Sequence, residues 1–122
     1  MYGKILVIDD EKDVVKVLVA RLTEQGYEVS FAFNGEGAFI EIERNKPDLI
    51  ILDIMLPGMG GNEIAGKLRE KPATRKIPII FLSALQRKEE EKEQDGIVGG
   101  NVILAKPFDL DVLLKKIREK IL

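Results

Sequence analysis

The sequence predicts one α/β domain, in which a parallel β-sheet has helices on both faces. Short apolar runs alternate with amphipathic helical segments five times along the chain, as is typical of right-handed strand–helix–strand units. The run 49–53 is apolar up to its final aspartate, as expected for a strand buried on both faces. The chain has 122 residues, of which 45% are hydrophobic, enough for one core, so we assign residues 1–122 to a single domain.

The first part of the chain predicts two strands with a helix between them. The apolar run 4–8 predicts the first strand, and apolar residues at helical spacing predict a helix over 11–25 that Gly26 ends. The segment 28–33 then alternates apolar with smaller or polar residues, the apolar ones being Val29, Phe31 and Phe33. This alternation predicts a strand with one exposed side at an edge of the sheet.

The middle of the chain predicts the central strand and the helices on either side of it. Asn34 and Gly35 turn the chain into a helix that ends at Lys46–Pro47, before the strand 49–53. A loop over 57–61 follows. A shorter helix is marked by Ile64, Ala65 and Leu68 and closes before Pro72.

The last part of the chain predicts two more strands and a final helix. The runs 78–82 and 102–105 predict the fourth and fifth strands, and a stripe of leucine and isoleucine predicts a helix from Leu110 to Ile121. Between these strands, residues 86–94 are good helix formers without an apolar face. This segment is interpreted either as a solvated helix or frayed loop, or as a surface for a partner.

Composition excludes several classes of function. The net charge is −2, with 19 basic against 21 acidic residues, so the chain offers no basic field for direct binding to nucleic acid or to an anionic membrane. It has no cysteine, no apolar run long enough to cross a bilayer and no signal-peptide pattern, so we expect a cytoplasmic protein. It also has no histidine, so any phosphohistidine in its chemistry must come from a partner.

Polar residues follow four of the predicted strands: Asp9 with Asp10, Asp53, Ser83 and Lys106. Because ligands of such folds bind at the carboxyl ends of the strands, we expect these side chains to share one crevice. Two carboxylates about 4 Å apart repel by about 4 kcal/mol at an effective dielectric constant of about 20, and one lysine cancels only one charge. Oxygen ligands without histidine or cysteine therefore predict a Mg²⁺ site, with Mn²⁺ as the alternative.

Each of these residues also has an ordinary structural interpretation. Asp9 or Asp10 is suited to cap the following helix, Ser83 to a turn and Lys106 to a loop. Their joint position at four strand ends favours the functional interpretation.

The motifs closely resemble the receiver domain of two-component response regulators, over essentially the whole chain. The resemblance is carried by Asp9-Asp10, Asp53 with Pro57-Gly58 behind it, Ser83-Ala84 and Lys106-Pro107-Phe108. It implies a flavodoxin-like, doubly wound sheet of five parallel strands in the order 2-1-3-4-5.

The resemblance also implies the roles of the site residues. Asp53 would be the phosphoacceptor, Lys106 would pair with the phosphoryl group and Ser83 would donate its hydroxyl to a phosphoryl oxygen. The Mg²⁺ ligands would be Asp10 directly, Asp9 through water, Asp53 and the backbone carbonyl of Met55.

The implied function is a phosphorylation-dependent signalling switch that catalyses only its own phosphoryl transfer and dephosphorylation. The phosphoryl donor would be a histidine kinase or a phosphotransfer protein, and the output a downstream partner or a fused domain. We expect a monomer, or a weak homodimer through the fourth strand, the fifth strand and the last helix.

Four features depart from the family pattern: Ile103, the pair Gly60-Gly61, Met55 and Leu85. Ile103 stands where an aromatic residue often swings inward on activation, so we do not expect an aromatic switch. Gly60-Gly61 predicts a looser loop. Met55 and Leu85 are apolar and cannot orient an attacking water, so a long-lived phosphorylated state is expected.

Three rival functions were weighed. A Mg²⁺-dependent phosphohydrolase resembling the haloacid dehalogenase group needs a second aspartate two places after the first, where Met55 stands. A pseudoreceiver would not keep Asp9, Asp10, Asp53 and Lys106 together. A flavodoxin that binds nucleotide or flavin needs a phosphate loop after the first strand, where the acidic residues 9–11 repel phosphate.

Overall fold

A computed structural model of the chain describes residues 2–83, 97–98 and 101–121. The strands are β1 (Lys4–Ile8), β2 (Glu28–Ala32), β3 (Leu49–Asp53), β4 (Ile79–Ser83), β5 (Ile97–Val98) and β6 (Asn101–Ala105). The described helices are α1 (Lys12–Glu24), α2 (Gly35–Asn45), α3 (Gly61–Glu70) and α4 (Leu110–Ile121). None of them is both long and apolar enough to cross a membrane.

The strands form one sheet in the order β2-β1-β3-β4-β6-β5. The first five strands of this order are parallel, which confirms the predicted flavodoxin-like sheet. The two-residue strand β5 was not predicted, and it runs antiparallel to β6 at the outer edge. The sheet therefore has a sixth, very short strand beside the five expected ones.

The core consists of two apolar layers, one on each face of the sheet. The helices α1 and α4 cover one face, through the buried residues Val15, Leu18, Leu22, Leu113, Leu114 and Ile117. The helices α2 and α3 cover the other face, through Ala38, Ile42, Ile64 and Leu68. β1, β3 and β4 are buried on both faces of the sheet. They therefore hold the residues at their carboxyl ends close to the core.

The helix boundaries follow the sequence signals closely. Gly26 follows α1 with φ +95°, a conformation that glycine adopts without steric cost. The Asn34 side chain caps α2 by accepting the Gly37 N–H at 2.8 Å. Asp109 lies before α4 and accepts the Asp111 N–H at 2.8 Å. One glycine conformation and two side-chain hydrogen bonds therefore set three of the helix ends.

In the edge strand β2, the alternation of apolar and polar residues did not indicate which side of the strand is buried. The strand lies at the sheet edge and has exposed side chains, as predicted. However, Phe31 and Phe33 are 46% and 37% exposed, and their rings form an edge-to-face pair at 5.5 Å, while the small Ala32 is buried. At an edge the neighbouring helices decide which side is covered, so periodicity alone did not locate the buried side.

The interpretations of residues 86–94 and of Gly99-Gly100 fall outside the described residues. The same is true of Ala84 and Leu85. They stay predictions.

Candidate functional site

The carboxyl ends of β1, β3, β4 and β6 bring the predicted residues to one edge of the sheet. Asp53 ends β3 and pairs in register with Leu82, one residue before Ser83 at the end of β4. Ser83 pairs in turn with Ala105, which precedes Lys106. The Lys106 N–H donates to the Ser83 carbonyl at 2.7 Å, so the β6 end continues the sheet pairing into the site.

Lys106 is the centre of the site's charge network. Its Nζ lies 2.8 Å from Asp9 Oδ2, 2.6 Å from Glu11 Oε1 and 3.2 Å from Asp53 Oδ2. The lysine side chain is only 10% exposed, and Asp9 and Asp53 are buried. One ammonium group is therefore shared by two buried carboxylates and the exposed carboxylate of Glu11.

The Asp9 carboxylate is held at one oxygen and under-satisfied at the other. Its Oδ1 accepts the Glu11 N–H at 2.9 Å. Its Oδ2 is fully buried and has no partner with hydrogen-bond geometry, although Lys106 Nζ is close enough for an ion pair. A buried oxygen in this state has a lone pair available for a cation.

The electrostatics of the network are visible in two pKa values. Burial raises the pKa of Asp9 above its ordinary value; Lys106 and the Glu11 N–H oppose the shift, and the Asp53 charge adds to it. Burial alone would lower the pKa of Lys106, but its bonds to Asp9, Glu11 and Asp53 outweigh burial and raise that pKa. The lysine therefore stays charged, while the carboxylates around it hold excess negative charge.

Three carboxylates meet the requirements of a site for a hard cation. Asp9, Asp10 and Asp53 each offer one oxygen, and these oxygens lie within 4.8 Å of one another. Asp10 is exposed, so the cluster opens to solvent on that side. An oxygen-only donor set with a buried, under-satisfied Asp9 oxygen fits Mg²⁺ or Mn²⁺.

The Asp53 carboxylate is fixed at both oxygens. Its Oδ1 accepts the Met55 N–H at 3.0 Å, and its Oδ2 accepts from Lys106 Nζ at 3.2 Å. The Met55 backbone therefore lies beside this carboxylate, while the Met55 side chain is exposed. A fixed, buried carboxylate with a cation beside it is suited to act as a nucleophile.

The family comparison is consistent with this geometry. The family model for the response regulator receiver domain matches residues 5–118. The chain belongs to this receiver family. It is 39% identical over 118 residues to the response regulator PleD of Caulobacter vibrioides, a match that covers 97% of the chain and 26% of that protein.

Two further relatives extend the comparison. The phosphate regulon regulator PhoB of Pseudomonas aeruginosa is 40% identical over 119 residues, which is 97% of the chain and 52% of that protein. The receiver domain of a Francisella response regulator superposes with a TM-score of 0.82 at 32% identity, covering 98% of this chain and 96% of that one. The chain thus spans between a quarter and about half of the length of these curated relatives. It is a receiver domain of two-component signalling, with the flavodoxin-like fold that the sequence predicted.

The loop after Asp53 contains a close approach that the receiver resemblance did not reveal. The Gly61 N–H donates to the Ile54 carbonyl at 3.0 Å. A Cβ at Gly61 would come within 2.8 Å of Ile54 Cα and even closer to the Asp53 carbonyl oxygen. The start of α3 therefore reaches the Asp53 backbone only because residue 61 has no side chain. The loosening expected from Gly60-Gly61 stays a prediction.

Glu11 is the site residue that sequence reasoning missed as a partner of Lys106. The two residues are 95 positions apart, and an acidic residue beside the first turn of α1 has an ordinary explanation in the helix dipole. The signal was present in the run Asp9-Asp10-Glu11, in which Glu11 indicated only the start of a helix and repulsion of phosphate. The alternative that Asp9 or Asp10 is the N-cap of α1 is wrong, since Glu11 occupies that position and its own side chain makes no capping hydrogen bond.

Proposed function

We propose that this receiver accepts a phosphoryl group on Asp53 from the phosphohistidine of a histidine kinase or phosphotransfer protein. The observation that carries the proposal is the buried Asp53 carboxylate, held by Met55 N–H and Lys106 beside two further carboxylates. These groups lie at a solvent-facing edge of the sheet, where a donor can approach. Such a constellation is suited to group transfer rather than to turnover of a small substrate.

Asp9, Asp10, Asp53 and the Met55 backbone carbonyl are the proposed ligands of Mg²⁺, with Mn²⁺ as the alternative. The under-satisfied Asp9 oxygen and the 4.8 Å spread of the three carboxylates support this set. When bound, the cation supplies positive charge to the oxygens of the transferring phosphoryl group. The cation would also offset the mutual repulsion of Asp9, Asp10 and Asp53.

The proposed step exchanges one bond to phosphorus for another. An Asp53 carboxylate oxygen attacks the phosphorus in line, a P–O bond forms and the P–N bond to the donor imidazole breaks. Lys106 pairs with a phosphoryl oxygen as charge spreads over the group. Water later attacks the mixed anhydride and returns the carboxylate and inorganic phosphate.

The signal is the added charge, about two negative units at the mouth of β3. The Ser83 hydroxyl donates to a phosphoryl oxygen, and the chain after β4 adjusts. Ile103 lies half-buried in register with Phe81, so the proposed switch uses Ser83 and backbone shifts rather than an aromatic rotation.

The remaining properties follow from this role. We propose a cytoplasmic signalling domain without enzymatic turnover, acting on a downstream partner or on a fused output domain. The dimer surface is proposed on β4, β6 and α4, as a weak contact in an otherwise monomeric domain.

Incubation with acetyl phosphate and Mg²⁺, followed by intact-mass measurement, tests the proposal. We expect the parent to gain one phosphoryl group, Asp53→Asn to gain none and a chelator to abolish the gain. Asp48→Asn is the matched control, because Asp48 lies at the opposite end of β3 and accepts the Lys4 N–H at 2.8 Å. A parent that gains no mass, or Asp53→Asn that still does, would contradict the proposal.

The lifetime of the phosphorylated state provides a separate test. Since the Met55 side chain presents no polar group to water beside Asp53, we expect Met55→Asn combined with Leu85→Glu to shorten that lifetime. Loss of the phosphoryl mass after removal of acetyl phosphate measures it. A parent that decays faster than the double variant would contradict this expectation.

A further inference from the structure

A second concave surface lies at the opposite, amino-terminal edge of the sheet. The cavity has a volume of about 780 Å³ and separates the carboxyl-terminal halves of α2 and α3. We name it the α2–α3 groove, and its central lining residues are Phe39, Ile40, Lys46, Lys67, Leu68 and Lys71. No part of the phosphoryl chemistry uses it.

The floor of the α2–α3 groove is apolar. Ile42 and Leu68 are buried at its base, and Phe39 and Ile77 are half-buried beside them. Ile40 extends this apolar surface outwards and is 59% exposed. Ile40 therefore continues the apolar lining of the cavity to the protein surface.

The rim of the groove is basic, in contrast to the chain as a whole. Lys46, Lys67 and Lys71 line it together with one acidic residue, Glu43, giving three positive charges against one negative. The whole chain carries −2. Across the described residues, these three lysines form no ion pair within 4.0 Å. Their charges are therefore available to an external acidic group.

The helix dipoles account for only part of this arrangement. Lys46 and Lys71 are the C-cap residues of α2 and α3, where a cation stabilises a helix by about 0.3–1 kcal/mol. That effect does not require an exposed Ile40 beside them. Three lysines that form no ion pair with any other described residue surround an apolar floor. Together they provide the two complementary features of a binding site, apolar anchoring and electrostatic selection.

We propose that the α2–α3 groove docks an acidic amphipathic helix of a partner protein. The α2 wall presents residues 39, 43 and 46 at helical spacing, and the α3 wall presents residues 67, 68 and 71. A groove between two helices accepts apolar anchors spaced i, i+3, i+4 and i+7 on a third helix. Glutamate or aspartate flanking those anchors would reach the lysines of the rim.

The position of the groove separates this docking from phosphoryl transfer. Pro47 lines the groove and lies six residues before Asp53, about 20 Å along an extended strand. The two surfaces are at opposite ends of β3 and of α3. A partner in the groove therefore leaves the carboxyl edge open to a phosphoryl donor, and the proposal does not depend on the proposed function.

The test uses a designed peptide as probe. A capped peptide of about four helical turns carries leucine at i, i+3, i+4 and i+7 and glutamate elsewhere. A lysine-for-glutamate version and a version with scrambled leucines are its controls. Titration into the full chain, followed by proton–nitrogen NMR correlation spectra, is expected to shift the amides of 39–46 and 67–77 with the acidic peptide alone.

Two sets of variants then locate the interaction. We expect Lys46→Glu/Lys67→Glu/Lys71→Glu to weaken the acidic peptide at least about tenfold. The matched control Lys16→Glu/Lys115→Glu/Lys120→Glu changes the net charge equally, on exposed residues of α1 and α4, and should leave affinity within about twofold. Ile40→Ser should weaken binding several-fold, whereas Val112→Ser, an equally apolar exposed site on α4, should not.

Other outcomes would overturn the proposal. The groove is not a site for an acidic helix if the lysine peptide binds equally well, or if both triple variants bind the acidic peptide alike. Dodecanoate, an anion with an apolar chain, is a further probe. If it shifts the groove amides while the acidic peptide does not, the groove binds a small amphipathic anion instead. A dimer that Ile40→Ser disrupts, without peptide binding, would assign the groove to a second copy instead. Far-UV circular dichroism and urea unfolding curves that match those of the parent verify that the groove variants are folded.

Discussion

The charged side chains at the two edges of the sheet lie in opposite environments. At the carboxyl edge, Asp9, Asp53 and Lys106 are largely buried and bonded to one another. At the amino edge, Lys46 and Lys71 are exposed on the rim of the apolar α2–α3 groove, without ion-pair partners among the described residues.

This difference separates two kinds of function. Buried charges with fixed partners are pre-organised for chemistry, because no reorganisation is needed when a reacting group arrives. Exposed charges beside an apolar surface favour reversible docking, since they can pair with the charges of a partner without a change in the fold. Variants matched across the two edges therefore make the comparison quantitative.

The largest expected effect comes from removing the central cation of the carboxyl edge. Lys106→Met leaves the buried Asp9 and Asp53 carboxylates without their counter-charge, and we expect it to lower the free energy of unfolding by about 3 kcal/mol. Urea denaturation at neutral pH measures this. Mg²⁺ should restore part of the loss, because it supplies the missing positive charge.

The matched variant at the amino edge is Lys71→Met. Since Lys71 is exposed and has no ion pair within the part of the chain that the structure describes, we expect a change within about 0.5 kcal/mol. Equal costs for the two lysine variants would contradict the contrast between the edges.

Two glycines of α3, one at its start and one in its middle, provide the next comparison. Gly61→Ala should cost about 2 kcal/mol, because its Cβ would meet the backbone of Asp53 and Ile54. Gly66→Ala, in the same helix with no atom within 4 Å of the new Cβ, should instead stabilise by about 0.5–1 kcal/mol. Thermal unfolding distinguishes them, and a harmless Gly61→Ala would show that the loop does not pack tightly against Asp53.

The smallest expected effect on stability concerns an exposed acid at each edge. Glu11 is 55% exposed, so Glu11→Gln should change stability by no more than about 0.5 kcal/mol. It should nevertheless speed phosphorylation by acetyl phosphate, because Lys106 Nζ is no longer shared with Glu11. Glu43→Gln should leave that rate unchanged and tighten binding of the acidic peptide. A slower Glu11→Gln would show that Glu11 helps to position Lys106.

The fold and most of the site could be predicted because buried parallel strands have a simple signature. The runs 5–8 and 49–52 are apolar throughout, so the aspartate that follows each run is placed at the sheet edge. The family motifs then added roles that periodicity cannot supply.

The features that the sequence did not predict depend on contacts between distant segments. The Glu11–Lys106 pair joins residues 95 positions apart, and strand β5 has two residues, too few for a periodic pattern. The exposure of Phe31 depends on what covers an edge strand. The α2–α3 groove arises from how two helices pack, and Lys46–Pro47 had been interpreted only as the end of a helix.

The most direct test of the central claim is calorimetric titration of the chain with millimolar Mg²⁺. The claim is that the carboxylates at residues 9, 10 and 53 form one cation site around which the switch is built. We expect binding by the parent and by Asp48→Asn, and loss of binding in Asp10→Asn. Absence of binding by the parent, or binding that is indifferent to Asp10, would contradict the account.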